Sequence, residues 1–171
     1  NGSFMIGDNN IMGDGYIDNI IRYRHHSHDK HSYPHGGYVN QPDIEVRNDN
    51  FSFVIGNDTG TFMSFYPTDS IEGIFIDESI INIPGYDLII NVLETNSNTI
   101  ANVSVSHDDH NFKFLGILND SISEHLFDLD DIDYNLPVNY IKLDIIGIDD
   151  PINIISIGAY NNSVYLPPYA Y

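Results

Sequence analysis

Asn102-Val103-Ser104-Val105-Ser106, then His107-Asp108-Asp109-His110, then Phe112-Lys113-Phe114-Leu115-Gly116-Ile117 spell out a β-hairpin. Val103 and Val105 alternate with Ser104 and Ser106, the period of a strand with one dry and one wet face. Phe112-Lys113-Phe114 repeats the alternation, and the polar residues His107-Asp108-Asp109-His110 between the two runs supply turn chemistry.

The same rhythm recurs on both sides. Strands are expected at 44–46, 51–55, 62–66, 71–76, 87–93, 102–106, 112–117, 140–146 and 152–159, broken by Asn, Asp, Gly and Pro at Pro67-Thr68-Asp69, Pro84-Gly85, Asn119-Asp120 and Asp149-Asp150-Pro151. That spacing is the signature of a sandwich. The run Leu88-Ile89-Ile90 suggests a strand buried on both faces. Composition agrees, with 27 Ile and 8 Val against 9 Leu and 3 Ala, a β-branched excess that favours strands and leaves little to build helices from. The expected fold is an all-β antiparallel sandwich, jelly-roll-like, spanning 41–171 behind an N-terminal arm of residues 1–40.

Twenty Asp and five Glu against six Lys plus Arg give a formal charge of −19. Such a charge repels nucleic acid and anionic lipid, so a nucleic-acid partner is not expected. No apolar run reaches the roughly 18 residues that cross a bilayer, so no membrane insertion is expected. Without Cys there is neither a disulfide nor a thiolate site. The opening Asn1-Gly2-Ser3 reads as a chain start left by signal-peptide removal. Six Asn-x-Ser/Thr triplets, at Asn1, Asn50, Asn57, Asn102, Asn119 and Asn161, are candidate glycosylation sites. Both features point to an extracellular or cell-surface protein.

The arm differs from the rest of the chain. It holds three of the six basic residues and five of the eight His between Arg22 and His35. His25, His26, His28 and His31 are candidate ligands for a transition metal through neutral imidazoles. Phe4, Met5 and Ile6, with Ile17, Ile20 and Ile21, offer apolar anchors for docking on a neighbouring subunit, and the stretch around Ile17–Ile21 can form a strand.

Pro84-Gly85-Tyr86-Asp87-Leu88, Val92-Leu93-Glu94, Val103 to Asp109, Phe112 to Gly116, Phe127-Asp128-Leu129 and Tyr140-Ile141-Lys142-Leu143 together resemble a family of secreted bacterial and archaeal surface domains that often carry PEP-CTERM-type sorting tails. The resemblance covers roughly residues 40 to 160. It implies a galactose-binding-like jelly roll, a cell-surface or matrix role and a bound structural calcium, with Asp87 and Glu94 as the acidic pair. Asp109 stands where that pattern has Gly. Asp108 and Asp109 add loop carboxylates of the kind calcium takes.

No nucleophile, base and orienting group stand at interpretable spacing, so an enzyme is not expected. The function expected is that of an extracellular structural subunit that self-assembles into a filament or layer, probing neighbours by strand addition. The alternatives are a carbohydrate-binding surface module and a viral capsid or fibre jelly roll.

Overall fold

β6 (Ile100–Ser106) turns Ala101, Val103 and Val105 into a fully dry interior and leaves Asn102 and Ser104 half-buried on the other side. β9 (Tyr140–Ile146) does the same with Ile141, Leu143 and Ile145. The period-2 pattern thus places a continuous apolar face on one side of each strand.

The computed structural model describes Ile17 and residues 19–24, 62–76, 78–160 and 163–165. The strands expected at 44–46 and 51–55 lie outside the described residues, as do Phe4, Met5 and Ile6, His25, His26, His28 and His31, and the sequons at Asn1, Asn50, Asn57 and Asn161.

The remaining strands are β1 (Asn19–Arg24), β2 (Met63–Phe65), β3 (Ser70–Ile74), β4 (Ser79–Ile80), β5 (Leu88–Val92), β7 (Lys113–Asn119), β8 (Glu124–Phe127), β10 (Ile152–Ala159) and β11 (Val164–Tyr165). One sheet has the order β1-β3-β9-β6-β7, the other β2-β10-β5-β8, and β11 pairs with β4 in a small ribbon. All pairings are antiparallel. Four of them nest along the chain, with β2 against β10, β3 against β9, β5 against β8 and β6 against β7. A long double strand rolled up in this way is the eight-stranded jelly roll. The interior between the sheets is filled by Met63, Phe65, Ile71, Ile90, Val103, Leu118, Leu143 and Ile154, among others.

The register shifts three times, once in β1 between Ile20 and Arg22, and in β10 and β7 the shift resets the side-chain phase. In β10 the register shifts between Ile154 and Ser156, so Ile152, Ile154 and then Ile157 face the core in a spacing that plain alternation forbids. In β7 the shift lies between Gly116 and Phe114, which leaves Leu115 as the extra residue. Phe114 consequently points outward, 52% exposed, and the alternation expected for Phe112-Lys113-Phe114 does not hold. Leu88-Ile89-Ile90 is also corrected. It alternates buried, half-buried, buried, because β5 belongs to a sheet with one outward face.

Ile17, read from the sequence as an intersubunit anchor, is a core residue of its own chain. Its side chain is buried in the main cluster and its N–H donates to the Ile157 carbonyl at 3.1 Å. β1, which follows it, adds to the five-stranded sheet beside β3 and contains Ile20 and Ile21. The expected strands at 140–146 and 152–159 are found at those bounds. β4, β8 and β11 have two to four residues, too few for periodicity to register.

Candidate functional site

Asp87 precedes β5 and Glu94 follows it. Seven residues of extended chain set them on the order of 20 Å apart, so they do not share an ion, and the acidic pair taken from the resemblance is not a pair in space. Asp87 is wholly buried with a structural set of partners. Its Oδ1 accepts from the Ile83 N–H at 3.0 Å and the Ser163 hydroxyl at 2.8 Å, and its Oδ2 from the Leu129 N–H at 2.9 Å. One carboxylate therefore ties together three separate loops at one end of the roll. Glu94 is exposed at the other end.

Asp108 and Asp109 are neighbours in the β6–β7 loop with different surroundings. Asp108 Oδ1 accepts from the Asn111 and His110 N–H groups, each at 2.9 Å, and from the Ser106 hydroxyl at 3.0 Å, while Oδ2 accepts from the Asn111 side-chain amide. These donors, Asn111 foremost, hold the Asp108 carboxyl far below the usual range. The loop satisfies this group internally.

Asp109 instead turns back over the outer face of the five-stranded sheet, its backbone in the left-handed region at φ 68°. There it meets Glu72 of β3 and Arg22 of β1. Arg22 Nη1 lies 2.9 Å from Glu72 Oε1 and 3.6 Å from Asp109 Oδ1. Glu72 is 6% exposed, and its Oε2, like Asp109 Oδ1, is buried without a hydrogen-bond partner. Burial first, and then the facing Asp109 carboxyl, push the Glu72 pKa up to about 7 against the pull of Arg22. Lys142, opposite Glu72 across the β3–β9 ladder, sets its Nζ 4.7 Å over the Phe112 ring. Sequence reasoning missed this cluster. The available signal was a lone Glu inside the apolar run Ile71-Glu72-Gly73-Ile74.

At the opposite end, the loops after β5 and β9 enclose an open cleft of about 380 Å³ lined by Thr95, Asn96, Ser97, Asp150, Pro151 and Asn153. Its shape is held from beneath by the buried Asp120, whose Oδ2 accepts from the Thr95 and Ser97 hydroxyls at 2.9 and 2.6 Å and from the Ser97 and Thr99 N–H groups at 3.2 Å. Burial works against the charged form, yet the hydrogen bonds from Ser97, Thr95 and Thr99 keep the Asp120 pKa below its ordinary value. Hydroxyl, amide and carboxylate groups on this wall suit a small, neutral, hydrogen-bonding ligand.

His125 of β8 is buried and accepts the Asn119 N–H at Nε2, 2.9 Å. Desolvation lowers its pKa, which fits a neutral ring. Among the sequons, Asn102 lies half-buried within β6, between β7 and β9. Asn119 ends β7, and its Oδ1 accepts from the N–H and hydroxyl of Ser121, closing the turn to β8.

Among the described residues, β7 ends the five-stranded sheet. Its outward side carries Phe114 and Ile117, 52% and 48% exposed. The single Lys of the strand, Lys113, is engaged with the Ile132 carbonyl. The other edge of this sheet is taken by β1 of the same chain. Among the described residues no group of three or more His, Asp or Glu side chains converges on a metal-sized site, and no helix is long and apolar enough to cross a membrane. No known protein family matches the chain, and no curated protein is similar to it.

Proposed function

We propose that this jelly roll is an extracellular structural subunit that associates with further copies of itself by strand addition at β7. The observation that carries the reading is the outer edge of that strand. Its regular part, Gly116–Leu118, offers main-chain groups next to the exposed Phe114 and Ile117, up to Asn119, whose N–H is taken by His125, and such an edge is a template for another strand. A second copy can supply that strand from the apolar segment Phe4-Met5-Ile6. The surface location rests on the six sequons and on the resemblance to secreted domains, and glycosylation and bound calcium belong to the same reading.

Ile117→Lys places a charge on the edge without touching the core. It is expected to abolish higher assemblies in sedimentation velocity and electron microscopy while leaving the circular dichroism spectrum of the fold unchanged. Assembly unaffected by this change would sink the proposal. Removing residues 1–16 is the cleaner test of the arm, because a cut beyond them takes away the buried Ile17.

The carbohydrate-binding alternative has the polar cleft in its favour. Titration with monosaccharides, followed at the backbone amides of Asn96, Ser97 and Asn153, tests it. Saturable shifts confined to those residues would favour a binding module, and their absence at millimolar sugar would remove this reading.

A further inference from the structure

Three segments distant in sequence meet at Glu72: β1 through Arg22, β3 through Glu72 itself, and the β6–β7 loop through Asp109. If both carboxyl groups were ionised, one guanidinium would face two negative charges at a buried position, and Glu72 Oε2 and Asp109 Oδ1 would remain without donors. Among the described residues, the other groups on this face offer no compensation. Lys142 is drawn to the Phe112 ring. Tyr140 and Asp144, which flank Lys142 on the same side of β9, add a phenol and a further negative charge. On the loop, Asp108 is satisfied by its own turn, His107 Nδ1 lies 2.8 Å from the Pro137 carbonyl, and His110 Nδ1 lies 2.8 Å from the Asp108 carbonyl. A single proton placed between the two carboxyl groups removes the surplus charge and supplies the missing donor.

We propose that Glu72 and Asp109 share one proton, and that this proton works a clasp holding β1 and the β6–β7 loop against the five-stranded sheet. Loss of the proton sets two carboxylates against each other and loosens β1, a strand paired on one side only among the described residues. The clasp stands apart from the assembly reading, since it concerns the chain alone.

The direction of the pH effect follows from the raised pKa of Glu72. The clasped state binds a proton that the opened state releases near the ordinary carboxylate value. Its contribution is fully present below about pH 4.5 and is lost as pH rises through about 7.

Amide hydrogen exchange of the full chain tests this. After correction for intrinsic exchange, protection of the β1 amides paired with β3 is expected to fall by up to about tenfold per pH unit between about pH 5 and 7 and then level off. Glu72→Gln, whose carboxamide can donate to Asp109 and accept from Arg22 without ionising, is expected to keep the same protection across that range. A wild-type profile flat in pH, or an identical fall in Glu72→Gln, would overturn the clasp. Should the variant fail to fold, the side-chain carboxyl carbon resonance of wild-type Glu72 decides. A midpoint near 7 supports the shared proton, and one between 4 and 5 refutes it.

Discussion

At the scale of single residues, the described carboxylates divide by what satisfies them. Asp108 is saturated by its own turn, Asp120 shapes the loop beside the cleft, and Asp128 caps the short 3-10 helix at Leu129–Ile132 by accepting from the Asp130 N–H. Asp87 carries the largest structural burden, because its three donors come from three different segments. Asp87→Ala leaves the Ile83 and Leu129 N–H groups without an acceptor in a dry site and leaves the Ser163 hydroxyl only its longer contact with the Tyr86 carbonyl, 3.4 Å. Each unsatisfied group costs about 1–3 kcal/mol, so the variant is expected to lose about 2 kcal/mol or more in urea unfolding. A loss below about 1 kcal/mol would show that water replaces the carboxylate there.

At the scale of elements, the bulges in β7 and β10 decide which residues enter the core. The one in β7 has a partner in Gly116, where an added Cβ would lie 2.7 Å from Phe127 Cε1. The Phe127 ring of β8 therefore closes over a backbone with no side chain, joining the edge of one sheet to the edge of the other. Gly116→Ala is expected to destabilise by about 1–3 kcal/mol through overpacking. Phe127→Leu in the same chain should recover part of that loss, since it removes the atoms that clash. Additive losses in a double-mutant cycle would mean that the two residues do not press on each other.

At the scale of the molecule, a formal charge of −19 acts against association of identical chains. The contact argued above is apolar and made through main-chain groups, so salt should help it by screening repulsion, with a Debye length of about 10 Å at 0.1 M. Assembly is therefore expected to increase as sodium chloride is raised from about 10 to about 200 mM, read by sedimentation velocity on wild type beside the Ile117→Lys control. Dissociation on adding salt would instead point to ion pairs as the glue.

The sequence alone determined the fold class and most strand positions, because alternation is a local property. β9 and β10 could be read to the residue from Tyr140–Ile146 and Ile152–Ala159. Turn positions at Pro67-Thr68-Asp69 and Pro84-Gly85 were legible for the same reason, and Thr68 and Gly85 do adopt positive φ. Only the tertiary structure decided that Ile17 is core and that Phe114 faces outward. Each depends on which strand lies alongside and on bulges that shift the phase by one residue, neither of which is encoded at short range. The Arg22–Glu72–Asp109 cluster belongs to the same category. Three ordinary charged residues, 37 and 50 positions apart along the chain, meet only because the roll brings one strand edge, its neighbour and a folded-back loop together, and the shared proton proposed for Glu72 and Asp109 follows from that meeting.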